Sequence, residues 1–241
     1  MNSKKKNIRV FIDFDGTITE KDVCNEIFKK FGKFDKYINR LFDGEIDMVE
    51  FWNLEIADLN ENLTENELLE FIAGFQPAPY FAELVEFLQS ENIPITIISD
   101  GFDLYIKNIL AAAGFENIGP VFSNKLIYEN GKFRAEYPYS SENCPCPAAM
   151  CKRNAIIRSS SEFDIIVFIG DGFSDRCAVQ HSDINFAKGA LAAYCNEKRI
   201  PHYPYKSFFD VTLKLKECIN NNKIKQRNEA YINRKNAVEA E

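Results

Sequence analysis

The chain has 241 residues, enough for one large domain or for one domain carrying an inserted module. Hydrophobic residues make up 46% of it, but the longest apolar runs are only strand-length, which excludes a helical membrane span. A net charge of -7 and a pI near 5.1 argue against a nucleic-acid binder, and they require that any anion site be locally positive.

Seven cysteines are an odd number and fit a reducing compartment better than a disulfide framework. Met1-Asn2-Ser3-Lys4-Lys5-Lys6 is basic and leads into a strand with no signal-peptide pattern. The expected location is the cytoplasm.

Ile8-Arg9-Val10-Phe11-Ile12 reads as a strand buried on both faces. From Lys21 to about Gln89 the apolar spacing is helical, with Ile27, Phe28 and Phe31 on one face and Tyr37, Ile38, Leu41 and Phe42 on another. Thr64-Glu65-Asn66-Glu67 is a capping box, and Pro79 suits the first turn of a further helix. Ile93–Ile98 is a second buried strand, ending at Ser99-Asp100-Gly101 and followed by a helix to Ala113.

Residues 121–137 read as a hairpin turning at Asn130-Gly131. A Pro/Cys-rich loop precedes a helix near 152–160. Ile165–Ile169 is a third buried strand, ending at Gly170-Asp171-Gly172, and Ile184–Ala187 is a short fourth. Helix is expected from Ser207, with a fraying polar tail at 226–241.

Strands alternating with helices imply an α/β fold with a parallel sheet. The helical block between the first two strands is too long for one crossover. The expected division is a Rossmann-like core of residues 1–19 and 89–225 with an inserted helical cap at 20–88.

Three strands end in polar clusters: Asp13/Asp15, Ser99/Asp100 and Asp171/Asp175. In open α/β sheets the ligand site lies beyond the carboxyl ends of the strands, so these residues should converge. Two carboxylates one residue apart repel each other unless a cation or a shared proton relieves them. A divalent cation held by Asp13, the backbone carbonyl of Asp15 and Asp171 would resolve that, and Mg²⁺ favours such oxygen ligands.

Asp13 is then the candidate nucleophile on phosphorus, and Asp15 the general acid and base. Ser99, with Asp100 and Gly101 at the following helix start, would bind the phosphoryl oxygens. Lys152 would neutralise charge on the phosphoryl group and on Asp13. Asp175 would reach the metal through water or hold Lys152 in place.

Asp13-Phe14-Asp15-Gly16-Thr17, Ser99, Lys152 and Gly170-Asp171-Gly172-Phe173-Ser174-Asp175 resemble the four motifs of the haloacid dehalogenase (HAD) superfamily phosphatases. The cap position is similar to that of the phosphoserine-phosphatase-like branch. Cys146-Pro147-Ala148-Ala149-Met150-Cys151-Lys152 resembles a segment of its phosphocholine/phosphoethanolamine and pyridoxal-phosphate phosphatases. A methionine-salvage phosphatase of the branch has a similar Cys-rich run.

The resemblance implies a Mg²⁺-dependent hydrolase of a small phosphorylated metabolite, working through an aspartyl-phosphate. It also implies that Glu20 reads a substrate amine; an exposed first-turn residue is the plain alternative. Gly16 and the Cys-rich loop count against phosphoserine as substrate. A signalling module that accepts phosphate without turnover is the alternative from another class, disfavoured by length and by the cap.

Cys144, Cys146 and Cys151 invite a zinc reading, but no fourth ligand is evident. Cys24, Cys177 or His181 would have to be recruited by the fold, and loop packing or reversible oxidation is expected instead. Cys177 and Cys195 read as apolar fillers, and His181 and His202 as surface or interface residues.

Overall fold

The structure is a computed structural model that describes residues 7–59, 63–146, 148–221 and 223–240. The basic run Met1–Lys6 and Pro147 of the Cys-rich segment lie outside the described residues. The strands are β1 (Ile8–Ile12), β2 (Ile95–Phe102), β3 (Val121–Glu129), β4 (Lys132–Glu136), β5 (Ile165–Gly170), β6 (Ile184–Ala187) and β7 (Tyr203–Pro204). They form one sheet in the order β4-β3-β2-β1-β5-β6-β7, parallel except for the β3–β4 hairpin. Asn130 and Gly131 turn that hairpin with φ of 52° and 77°, as a tight primed turn requires.

Alternation along the strands explains the layering. Val10, Ile12, Ile95, Ile97, Val167 and Ile169 face one core. Helices α5 (Phe81–Ser90), α6 (Asp103–Ala112) and α10 (Phe208–Asn220) cover it through Phe81, Tyr105 and Phe208. Phe11, Ile98, Ile166 and Phe168 face the other core. There α7 (Lys152–Arg158), α8 (Arg176–His181) and α9 (Gly189–Glu197) supply Ile156, Val179 and Leu191. Both faces of the sheet are therefore buried, the condition that parallel strands need.

Between β1 and β2 the chain also forms α1 (Val23–Phe31), α2 (Phe34–Phe42), α3 (Met48–Ala57) and α4 (Glu65–Ile72). Thr19 and Pro77 pair in an antiparallel bridge, and Ala78 N donates to Ile18 O, so this excursion leaves and returns at one point. Trp52 packs edge-on against Phe102 with centroids 5.8 Å apart, and Tyr137 Oη donates to Asn53 Oδ1. Those contacts seat α3 over the ends of the strands. The range 20–88 also contains α5, which packs against α10 on the sheet; we assign the cap to α1–α4.

The C-terminus departs from expectation. Residues Asn228–Ala240 form α11, docked on α8 rather than frayed. Its apolar content is low, but buried Arg234 donates to His181 O at 2.6 Å and pairs with Asp183 at 3.3 Å. A charge-assisted pair does the anchoring that hydrophobic spacing did not foretell. No helix among the described residues is long and apolar enough to cross a membrane.

Candidate active site

β1 delivers Asp13 while still on the ladder, for Asp13 N donates to Ile169 O at 2.9 Å. Gly16 then turns the chain with φ of 71°. That turn leaves room for no side chain: a Cβ on Gly16 would lie 2.6 Å from Asp171 Oδ2. Thr17 Oγ1 donates to Asp171 Oδ1 at 2.9 Å, locking the end of β5 against the first motif.

Lys152 opens α7 and is fully buried. Its Nζ lies 2.5 Å from Asp13 Oδ1 and 2.5 Å from Asp175 Oδ1. Burial opposes the ammonium charge, but the two carboxylates hold its pKa above the usual lysine range. Asp175 Oδ2 accepts from the backbone N–H groups of Asp171 and Gly172, each at 2.9 Å. Both oxygens of Asp175 are thus engaged by protein donors.

Asp13, Asp171 and Asp175 each offer an oxygen, and the three oxygens lie within 4.8 Å of one another. Burial, then repulsion from Asp175, raises Asp171 to about 6, and burial with the same repulsion raises Asp13 well above the carboxylate range. A buried, all-oxygen, mutually repelling donor set fits a hard divalent cation such as Mg²⁺. Asp13 and Asp171 would hold it directly, and Asp175 through water.

Asp15 stands outside that trio. Its carboxylate accepts from Val23 N at 2.9 Å, Ser99 Oγ at 3.3 Å and Tyr105 Oη. Burial, with repulsion from Asp22, pushes its pKa up to about 8, and the Tyr105 hydrogen bond opposes the rise. A carboxyl group that keeps its proton near neutrality is suited to act as an acid.

Above these groups lies a cavity of about 680 Å³. Asp13, Asp15, Ser99 and Asp171 form its floor. Ile38, Leu41, Met48, Phe51 and Trp52 of the cap form an apolar wall, and Asp22, Glu45, Asp47 and Glu50 add acidic groups. Among the described residues, no lysine, arginine or histidine lines it.

The sequence profile of the family described as Putative Phosphatase matches residues 8–190, a span that holds Asp13, Asp15, Ser99, Lys152, Asp171 and Asp175. The chain belongs to this family. It is a phosphatase of the HAD type, a phosphomonoester hydrolase.

The 2-hydroxy-3-keto-5-methylthiopentenyl-1-phosphate phosphatase of Bacillus cereus is 28% identical over 217 residues, covering 88% of this chain and 98% of the relative. The enzyme of the same name from Bacillus anthracis is similar to the same extent. Among solved structures, a phospho-aspartyl intermediate analogue of phosphoserine phosphatase aligns with a TM-score of 0.67 at 19% identity. That alignment covers 88% of this chain and 99% of the other. Cytosolic 5'-nucleotidase IIIB bound to cytidine aligns at 0.57 and 18% identity, covering 91% and 88%. The structural likenesses establish the shared fold.

In this phosphatase the fold brings together Asp13, Asp15, Ser99, Lys152, Asp171 and Asp175. Asp100 lies at the cavity, but its Oδ1 accepts from Met150 N at 2.6 Å, turned toward the loop before Lys152. Gly101 N donates to Ser99 Oγ at 3.0 Å and so orients that hydroxyl.

Glu20 is not brought in. It is exposed and lines a separate hollow with Lys188, Tyr205 and Lys206. The Thr19–Pro77 bridge turns the chain away there, and Asp22, the N-cap of α1, faces the cavity instead.

Sequence reading missed Tyr105, Thr17 and Asp22. Thr17 lay inside a motif already singled out, but Tyr105 carried no signal beyond its place in the first turn of α6.

Proposed function

We propose that the phosphatase is Mg²⁺-dependent and hydrolyses a small phosphomonoester through an aspartyl-phosphate on Asp13. What supports this most is Lys152, buried between Asp13 and Asp175 behind the floor of the capped cavity. A carboxylate oxygen of Asp13 attacks phosphorus in line. The bond from phosphorus to the ester oxygen breaks, and Asp15 gives its proton to the departing alcohol. Asp15, now ionised, takes a proton from water. That water attacks phosphorus, the bond to Asp13 breaks, and inorganic phosphate leaves.

Ser99 donates to a phosphoryl oxygen, and Lys152 stays paired with Asp13 throughout. The bound cation would neutralise phosphoryl charge and the Asp13/Asp171 repulsion. The cap excludes bulk water and large or polymeric substrates.

The lining narrows the leaving group. With no basic side chain among its described lining residues, the cavity offers no cation to pair with a carboxylate or a second phosphate, which counts against phosphoserine. Its apolar wall suits a neutral thioether chain of the kind named for the Bacillus relatives. Its acidic groups beside Trp52 suit an alkylammonium alcohol such as phosphocholine or phosphoethanolamine. Seven free cysteines support a reducing, cytoplasmic setting.

The test is turnover of p-nitrophenyl phosphate with and without Mg²⁺, then of a panel spanning phosphocholine, phosphoethanolamine, a methylthioketopentenyl phosphate, phosphoserine and sugar phosphates. Repeated, Mg²⁺-dependent turnover is expected, with neutral or cationic esters ahead of phosphoserine. One equivalent of p-nitrophenol released, with the phosphoryl group held on the protein, and then arrest would overturn the enzymatic reading in favour of a phosphoacceptor module. A strong preference for phosphoserine would overturn the reading of the cavity.

A further inference from the structure

The fold supplies the fourth ligand that the sequence did not reveal. The sulfurs of Cys144, Cys146, Cys151 and Cys177 all lie within 4.8 Å of one another. All four cysteines are free, and they form a cluster separate from both hydrophobic cores. We propose that these four thiolates bind one structural Zn²⁺ ion, at a site distinct from the carboxylate centre.

Geometry favours a single ion. Four thiolates about 2.3 Å from one zinc stand about 3.8 Å apart in a tetrahedron, within the observed limit. Disulfide pairing would account for the sulfurs two by two, not for four that approach one common point. An all-sulfur donor set selects zinc over the hard cation expected at Asp13 and Asp171. A set of four protein ligands leaves no open position, so the site is structural rather than catalytic.

The surroundings fit thiolates. Backbone N–H groups reach two of the sulfurs, that of Cys146 to Cys144 and that of Asn154 to Cys151. Buried Arg153 extends Nη1 to Asn143 O at 3.3 Å, beside Cys144, where positive charge offsets the net negative charge of four thiolates around Zn²⁺. Cys177 therefore serves as a ligand rather than an apolar filler. His181, buried and bonded through Nδ1 to Cys177 O at 2.7 Å, supports it from behind and is not a surface residue.

The position explains why such an ion is needed. Residues 137–151 join β4 to α7 with no helix or strand of their own among those described, and long bare connections inside a domain are uncommon. Cys151 directly precedes Lys152, and Cys177 follows Asp175 by two residues. One ion would thus tie together the segment that carries Lys152, the partner of Asp13, and the segment that carries Asp175, the other carboxylate on Lys152. Binding would release the thiol protons to solvent.

The experiment is metal analysis of the full-length chain, purified under reducing conditions without a metal-binding tag. Zinc is read by mass spectrometry, and thiols are titrated with an organomercurial while released zinc is followed with a dye. About one zinc per chain, retained through gel filtration and released as the thiols react, is expected. Cys177→Ser should lose most of that zinc, whereas Cys195→Ala should keep it.

Because Cys177 is buried and its replacement also tests folding, the wild-type chain is stripped and reloaded with Co²⁺ as well. The absorption of a tetrahedral tetrathiolate, with its sulfur-to-metal charge transfer, should appear at one equivalent. Four results would each overturn the site: no zinc and no such Co²⁺ spectrum, iron in place of zinc, disulfides among the four cysteines, or full zinc in Cys177→Ser. None of them bears on the phosphatase reading, which rests on Mg²⁺-dependent turnover.

Discussion

Tyr105 donates its hydroxyl proton to Asp15 directly beneath Gly101, where a Cβ would fall 1.6 Å from the phenol oxygen. Gly101 is therefore the space through which α6 reaches the acid of the site. The tyrosine is a positioning residue: it touches Asp15, and Asp15 touches the cavity. Its hydrogen bond favours the ionised carboxylate and so restrains the rise in the Asp15 pKa that burial imposes.

Tyr105→Phe should raise the Asp15 pKa further above about 8. Asp15 must be protonated to donate to the leaving alcohol, so the alkaline limb of the kcat/KM profile should move to higher pH. A profile identical to wild type, with only a uniform loss of rate, would show that the hydroxyl acts through packing alone.

Asp15→Asn should cost about 10²- to 10⁴-fold in turnover of an alkyl phosphate, the range of a lost general acid and base. An aryl phosphate, whose leaving group needs no proton, should still phosphorylate Asp13 and then stall, leaving acid-stable label on the protein. Asp13→Asn should give neither turnover nor label. Near wild-type alkyl turnover in Asp15→Asn would contradict the role assigned here.

Lys152→Met leaves Asp13 and Asp175 facing each other with no cation between them. Breaking a buried ion pair on one side costs about 3–5 kcal/mol, so a clear fall in Tm and loss of activity are expected. Lys152→Arg should not restore turnover, because a planar guanidinium does not fit a fully buried point-charge site. Differential scanning calorimetry of both variants beside wild type reads the stability effect.

Stability should depend on pH in a direction set by raised carboxyl pKa values. Asp171 is raised to about 6, Asp100 to about 7 and Asp15 to about 8. Unfolded carboxyl groups titrate near pH 4, so between about 4 and 8 the folded state binds more protons than the unfolded one. Its stability is then fully present at low pH and is lost as pH rises through that window.

In Mg²⁺-free buffer Tm should fall from pH 5 to 8, at about 2–4 °C for each kcal/mol lost. Added Mg²⁺ should lessen the fall, because a cation favours the ionised forms of Asp13 and Asp171. A Tm that rises over this range without Mg²⁺ would contradict the direction of these shifts.

Tethering of the C-terminus is testable as well. Arg234→Ala removes the donor to His181 O and the partner of Asp183, leaving a buried carboxylate less paired. α11 should then become the first site of limited proteolysis, with a modest loss of Tm. Equal protease resistance would mean that the rest of the helix suffices.

The apolar strands, the glycine turn after Asp13, the Asn130-Gly131 hairpin and the polar strand ends were legible because each depends on neighbours in sequence. Period-two burial and turn chemistry are local, and a parallel sheet with its site at the strand ends follows from them. Which side chains complete that site is not local. Asp22 rather than Glu20 faces the cavity because the Thr19–Pro77 bridge sets where the chain turns. Tyr105 reaches Asp15 only through the gap at Gly101, and Cys177 meets Cys144, Cys146 and Cys151 only once α8 docks beside α7. Contacts between residues tens of positions apart are decided by packing and by the pairing of buried charges, which leave no period in the chain.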